Sequence, residues 1–360
     1  MQPLYARVLA YIADSGVDEF TALALAVFRH QFERCEPYRR YCLSRGRTPD
    51  QVDDWATIPA VPIVAFKRAG LHCGPPLRTF LSSGTTAGPQ MRSRHELPEP
   101  RLYQASALAG LRRFLFPDVE RMRVASLVAP VTALPDSSLA QMVAWAIESF
   151  GADCSSYAAH ETGIDLDAFI DTLRTSERDG KPLAILATTG GVIRALDALT
   201  ARQLRFRLPH GSRLMDTGGD KGAPRPLSRN GLLHAVWSAF AIPGYFCVNE
   251  YGMAELSSQY YDSVIADRVA GRHAPRRLLG PHWARVRLLD PATLRPVADG
   301  EPGLVSHLDL ANAGTALAVL SEDLAVAAED GLHLLGRVPG AELRGCSLQE
   351  LPLGASAARQ

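Results

Sequence analysis

The chain has 360 residues, 47% of them hydrophobic and 21% charged, and its formal net charge is +0. That is enough apolar material for a large core and for more than one lobe, and it excludes a disordered chain. The neutral balance argues against a dedicated nucleic-acid binder, and the arginine groups Arg112, Arg113, Arg121, Arg123 and Arg276, Arg277, Arg285, Arg287 read as solvated faces.

In chain order, the spacing of Phe20, Leu23, Val27 and Phe28 predicts a helix over 18–34, with Asp18 as its N-cap. A proline-punctuated stretch, Ile58 to Pro62, leads to the small hydroxyl-rich loop Leu-Ser-Ser-Gly-Thr-Thr-Ala-Gly-Pro at 81–89. A strand at about 122–129 precedes a helix at 137–150, whose Leu139, Met142, Val143, Ala146, Ile147 and Phe150 share a face and which ends at Gly151, a C′ residue. The strand Leu183–Ala187 runs into Thr188-Thr189-Gly190-Gly191 and a helix at 192–199, and the strand Arg213–Asp216 runs into Thr217-Gly218-Gly219-Asp220-Lys221-Gly222. Strand, polar glycine turn and helix in alternation predict an α/β fold, with a mostly parallel sheet and functional loops at the strands' carboxyl ends. After 283, short alternating segments between Asp-Gly and Pro-Gly turns predict a small β-rich lobe. The expected organisation is an α/β core over 1–282, a β-rich lobe over 283–350 and a tail over 351–360.

The six cysteines are scattered without a Cys-x-x-Cys pair, no basic-then-apolar leader follows Met1, and no run of eighteen apolar residues occurs. These features suggest a cytoplasmic protein with neither disulfide framework nor membrane insertion. Cys35, Cys42, Cys73, Cys154 and Cys247 read as core residues. Only three lysines occur, Lys67, Lys181 and Lys221, so chemistry that needs a tunable amine has few candidates.

Two segments carry chemistry. Ser83, Gly84, Thr85 and Thr86 can place backbone N–H groups and hydroxyls around a phosphate. About 160 residues later, Asn249-Glu250-Tyr251-Gly252-Met253-Ala254-Glu255 offers an aromatic face for a base, a glycine for close approach and a carboxylate for a divalent cation. In this order the pair points to ATP-dependent activation of a carboxylate.

These segments resemble the acyl-protein synthetase family, long-chain-fatty-acid–protein ligases of the LuxE type within the acyl-adenylate-forming superfamily. The likeness runs over nearly the whole chain. It includes Glu-Pro-Tyr-Arg-Arg at 36–40, Ile-Pro-Ala-Val-Pro at 58–62, Ser-Arg-His at 93–95, Met-Asp-Thr-Gly-Gly-Asp-Lys-Gly at 215–222 and Arg-Gly-Cys-Ser-Leu at 344–348. The resemblance implies that Ser83, Gly84, Thr85 and Thr86 hold the ATP phosphates, that Gly218 and Gly219 lie against the adenine with Tyr251 stacked on it, and that Glu255 helps to hold Mg²⁺. It places Asp323 on the ribose hydroxyls and Arg337 on ribose or phosphate. Asn249 orders the adenine loop around Gly252, and Glu250 is a ligand or a salt-bridge partner. His95 either faces the acyl phosphate or caps its loop. Lys221 holds a phosphate or the substrate carboxylate, or pairs with Asp216 or Asp220.

Two departures stand out. The loop continues Pro89-Gln90-Met91 where adenylate formers usually have Pro-Lys-Gly, which leaves Lys221, Arg92 or Arg94 to supply positive charge. Larger relatives add a mobile lid domain with a catalytic lysine. Here no lysine follows Lys221, so the expected fold lacks that lid, as acyl-protein synthetases do.

The reaction implied is formation of a fatty acyl-AMP and transfer of the acyl group to a thiol. Cys346 matches the family's acyl acceptor, next to Gly345 and Arg344; the plainer reading is a small buried hydrophobe. An acyl-reductase or acyl-carrier protein is the implied partner. The alternatives are a free-standing enzyme that loads a carrier protein or coenzyme A, and a non-catalytic nucleotide- or acyl-binding scaffold.

Overall fold

Leu183 to Ala187 are all buried within the Leu183–Thr188 strand, an unbroken apolar run suited to a parallel sheet covered on both faces. The computed structural model describes residues 2–82, 92–218 and 226–338, and there the strand is central to a parallel set. The spatial order is Ser156–Tyr157, Arg123–Ser126, Leu183–Thr188, Arg213–Thr217 and Cys247–Tyr251, all parallel. Tyr260–Asp262 and Leu278–Leu279 then continue it antiparallel.

The connecting helices start on hydroxyl caps. The Ser137 side chain accepts from the Ala140 N–H at 3.1 Å ahead of Ser138–Phe150, and Thr188 accepts from the Gly191 N–H at 3.0 Å ahead of Thr189–Ala201. The Thr-Gly-Gly stretch expected as a turn is therefore the first turn of the helix. Gly151 is not a left-handed C′ residue; its φ is −76°. Glycine is needed there because a Cβ would stand 2.3 Å from the Ile147 carbonyl oxygen.

The chain divides into two units, one of residues 79–95 and 100–282, the other of 1–78, 96–99 and the chain from Trp283 onward. The second unit contains the antiparallel strands Ala284–Leu289, Gly303–Asp309, Ala318–Ala327 and Leu332–Arg337, with Val61–Pro62 running parallel beside Ala318–Ala327. It also contains the helices Pro3–Ala13, Phe20–Arg34 and Glu36–Ser44. Gln31 ties these helices to the strands: its fully buried amide donates to the Asn312 and Ala313 carbonyls at 2.9 and 3.1 Å and accepts from the Leu317 N–H at 2.9 Å.

Asp18 does not cap the second helix, which begins at Phe20 with Glu19 at the cap position and no side-chain bond. Its carboxylate is instead held by Arg7 at 2.6 Å and by the Glu19 N–H at 2.8 Å. The two arginine groups are not uniformly solvated either. Arg123 and Arg277 are buried and pair with Asp179 at 2.6 Å and Asp267 at 2.8 Å, because a guanidinium can satisfy a carboxylate and nearby carbonyls together. Among the described residues, no helix is long and apolar enough to cross a membrane.

Candidate functional site

Arg213–Thr217 and Cys247–Tyr251 end side by side, with Thr217 opposite Glu250 in parallel register. Carboxyl ends of adjacent parallel strands are where open α/β sheets receive ligands. Gly218 follows the first strand with φ +76°, a left-handed conformation that favours glycine. The Thr189 hydroxyl, at the start of its helix, lies 2.9 Å from both the Gly218 carbonyl and the Asp216 carboxylate, either of which can take its one proton.

Beneath this edge is a charged network. Asp216, 1% exposed, receives Arg229 at 2.5 Å, and the Asn249 amide reaches both its backbone carbonyl and its carboxylate at 3.1 Å. Asp262 accepts from the Asn249 N–H at 3.0 Å and from Arg229 at 3.2 Å, and pairs with Arg276. Burial works against the Arg229 charge, but Asp216 and Asp262 outweigh it and hold its pKa above the ordinary value. Burial raises the Asp262 pKa against the opposing pull of Arg276 and Arg229. Asn249 thus links the two strands. Arg229 and Asp262 escaped the sequence reading, which also took Thr189 for part of a turn and Arg276 for part of a solvated face; the four lie far apart in the chain, and the local signal was limited to polar residues at the ends of apolar strands.

Glu250 has no ion pair among the described contacts; its carboxylate accepts the Thr217 hydroxyl. Burial, reinforced by Asp216, pushes its pKa up to about 7 against that hydrogen bond. Gly252 does not have a positive φ. It is needed for close approach, since a Cβ there would stand 2.5 Å from the Glu250 Oε1 and 3.3 Å from the Gln259 Cγ. Half-buried Tyr251 tilts against Tyr260, ring centroids 5.8 Å apart.

His95 is brought to the same motif. It is 2% exposed and hydrogen-bonded with the Ala254 backbone, and burial lowers its pKa to about 4, so the ring is neutral at neutral pH. Ser82 and Ser93 close on each other on either side of 83–91: the Ser82 N–H donates to the Ser93 carbonyl at 3.0 Å and the Ser93 N–H to the Ser82 hydroxyl at 2.9 Å. Arg92 is engaged by the Ser82 carbonyl, while Arg94 is exposed.

Ser83, Gly84, Thr85, Thr86, Gly219, Lys221 and Cys346 lie outside the described residues. Asp323 and Arg337 belong to the other unit, in register on neighbouring strands, and form an ion pair at 3.2 Å. Glu255 is buried, in the turn at 254–255 that follows the Cys247–Tyr251 strand. Among the described residues no group of three or more His, Cys, Asp or Glu side chains is arranged to hold a metal.

Of the cysteines expected in the core, Cys35, Cys42, Cys73 and Cys247 are buried, but Cys154 is exposed, with its sulfur 3.2 Å from the Arg123 Nε. Its place in the turn after Gly151 leaves it uncovered. Burial pushes the thiols of Cys35 and Cys247 up to about 11 and about 12, which leaves little thiolate at neutral pH.

The chain is similar to known proteins in sequence and in fold. The chain is 22% identical over 312 residues to the long-chain-fatty-acid–luciferin-component ligase of Aliivibrio fischeri, covering 85% of this chain and 79% of that protein. In fold it is similar to 2-hydroxyisobutyryl-CoA ligase in an open conformation with 2-HIB-AMP and CoA, with a TM-score of 0.64, 15% identity and coverage of 90% of this chain and 76% of that one. The post-adenylation state of the same ligase with 2-HIB-AMP gives a TM-score of 0.62 at 14% identity, over 88% and 68% of the two chains. The family model for acyl-protein synthetase, LuxE, matches residues 4–351. Since that match takes in both units and every motif on which the site is built, the chain belongs to the LuxE acyl-protein synthetase family.

Proposed function

We propose that this protein activates a fatty acid with ATP and transfers the acyl group to its own Cys346, from which a reductase partner receives it. The class of reaction follows from the family: the protein is an acyl-adenylate-forming ligase, which joins a carboxylic acid to AMP and passes the acyl group to a thiol. The observation that carries the reading here is the pairing of Thr217–Gly218 with Tyr251–Gly252 at adjacent parallel strand ends, one with a left-handed glycine and the other with an aromatic ring.

In the first step a carboxylate oxygen attacks the α-phosphorus of ATP and pyrophosphate leaves. Gly218, Gly219 and Tyr251 are assigned to the adenine, and Ser83, Gly84, Thr85 and Thr86 to the phosphates. Lys221 is assigned to a phosphate or the substrate carboxylate, Asp323 to the ribose and Arg337 to ribose or phosphate. Mg²⁺, held through Glu255, supplies charge neutralisation on the phosphates. His95, neutral and buried, can position the turn that carries Tyr251 without adding a charge near the anionic substrates. In the second step a thiolate attacks the acyl carbon, the thioester C–S bond forms, and AMP leaves with the electron pair of the broken C–O bond.

The test is acid-dependent exchange of labelled pyrophosphate into ATP with Mg²⁺, over a panel of fatty and aryl acids. Exchange with fatty acids is expected. Absence of exchange with every acid, with a reductase partner also present, would overturn the adenylating reading.

A further inference from the structure

Gly218 is the first residue past the end of its strand. Thr217 is the last paired position on both sides, opposite Thr188 of the Leu183–Thr188 strand and Glu250 of the Cys247–Tyr251 strand. No ladder bond therefore fixes Gly218, and its φ of +76° is one of several conformations open to a glycine. The two residues before it are secured otherwise. Asp216 takes Arg229 on one carboxylate oxygen and the Asn249 amide on the other, and the Thr217 hydroxyl goes to Glu250. The Gly218 carbonyl has one donor among the described residues, the Thr189 hydroxyl at 2.9 Å.

Thr189 is the first residue of the Thr189–Ala201 helix, and its place is set by the cap behind it, where Thr188 accepts from the Gly191 N–H at 3.0 Å. Its hydroxyl also lies 2.9 Å from the Asp216 Oδ2 and 3.3 Å from the Thr217 carbonyl, but it has a single proton to give. Donated to Asp216, that proton adds a third donor to an engaged carboxylate and turns the hydroxyl lone pairs on the Gly218 carbonyl. Donated to Gly218, it leaves Asp216 with Arg229 and Asn249 and gives the carbonyl its partner. The second arrangement satisfies more groups.

We propose that Thr189 is a positioning residue of the nucleotide site: its hydroxyl donates to the Gly218 carbonyl and holds the turn after the Arg213–Thr217 strand in its left-handed conformation. This inference rests on the nucleotide reading, in which Gly218 lies against the adenine. Thr189 acts through Gly218 rather than on the ligand. Without the hydroxyl the glycine spreads over conformations that binding must then gather into one, and affinity falls. Folding stability changes little, because Gly218 is exposed and water can replace the lost donor.

The experiment is calorimetric titration of the full chain with Mg²⁺ and ATP for the natural protein, Thr189→Val and Thr189→Ser, with thermal unfolding of each. Valine keeps the branched shape without the hydroxyl, and serine keeps the hydroxyl. Thr189→Val is expected to bind ATP about fivefold more weakly at a nearly unchanged Tm, and Thr189→Ser to bind like the natural protein. Equal weakening in both variants would implicate the methyl group and overturn the proposal. Natural affinity in Thr189→Val, with or without a fall in Tm, would overturn it as well. The order parameter of the Gly218 amide, from nuclear spin relaxation of the nucleotide-free protein, supplies a separate readout: it should drop in Thr189→Val and not in Thr189→Ser. If the natural protein does not bind ATP, the nucleotide reading fails, and the order parameters still decide whether Thr189 holds the turn. Identical values in all three proteins would refute it.

Discussion

Asp323 and Arg337 stand opposite each other on neighbouring antiparallel strands, and the Arg337 Nε donates to the Asp323 carboxylate at 3.2 Å. The Asp323 side chain is 12% exposed and that of Arg337 is 50% exposed. An ion pair so open on one side contributes at most about 1 kcal/mol to folding, whereas hydrogen bonds to a charged group that binds ligand are each worth about 1.5–3 kcal/mol. With Asp323 on the ribose, as proposed, Asp323→Asn should weaken ATP-dependent exchange by about 10–100-fold and leave the urea midpoint nearly unchanged. Equal losses in stability and exchange would instead make the pair a structural one.

Gly252→Ala tests the close approach beneath the Tyr251 turn. The added Cβ would stand 2.5 Å from the Glu250 Oε1, so the carboxyl group that holds Thr217 must shift. Overpacking of this kind costs about 1–3 kcal/mol. The loss should be partly relieved in the Gly252→Ala, Glu250→Ala double variant, since the obstructing atom is then gone. Strict additivity of the two changes in denaturation would show that some other contact excludes a side chain at 252.

The strand–helix alternation was legible because local signals agree there: the apolar run at 183–187 and the Leu214–Met215 pair are short and followed by hydroxyls and glycine, and the cap Ser137 precedes an amphipathic face. The Gly252 requirement was legible as a glycine inside a motif, although its cause, the Glu250 carboxyl beneath it, was not. Links across long sequence separations were invisible. Gln31 meets Asn312 and Ala313 after more than 280 residues, and nothing local announces it. Asp262 takes Arg229 and Arg276, which no helical or strand spacing relates. Asp18 misled for a related reason: its residue type suits an N-cap, but Arg7 competes for the carboxylate.

His95 and His307 make acid sensitivity specific to each unit. Burial lowers the pKa of His95 to about 4 and that of His307 to about 3. As pH falls below about 6.5, the unfolded chain takes up a proton that the folded site refuses, so this stability is present above about 6.5 and is lost towards pH 4. At pH 5 each histidine should have forfeited about 2 kcal/mol relative to pH 7. His95→Gln should begin less stable at pH 7, having lost the ring's packing, yet show a shallower decline towards pH 5 in urea unfolding. A parallel decline would mean that His95 is protonated in the folded protein.

Two thiols compete to carry the acyl group. Among the described residues Cys154 is the exposed cysteine, and it lies against the Arg123 guanidinium, so exposure alone makes it a competitor of Cys346. Cys35, Cys42 and Cys247 are buried with pKa values pushed up to about 11, about 12 and about 12, and they should resist both acylation and brief native-state alkylation. With ATP, Mg²⁺ and labelled fatty acid, the natural protein should acquire a thioester that hydroxylamine removes. Cys346→Ser should lose that label and keep pyrophosphate exchange, because the first half-reaction uses no thiol. Cys154→Ser should keep both. The opposite pattern, with label surviving in Cys346→Ser and vanishing in Cys154→Ser, would move the acceptor to the turn after Gly151. Label retained by both single variants and by the double variant would place the acyl group on something other than either thiol.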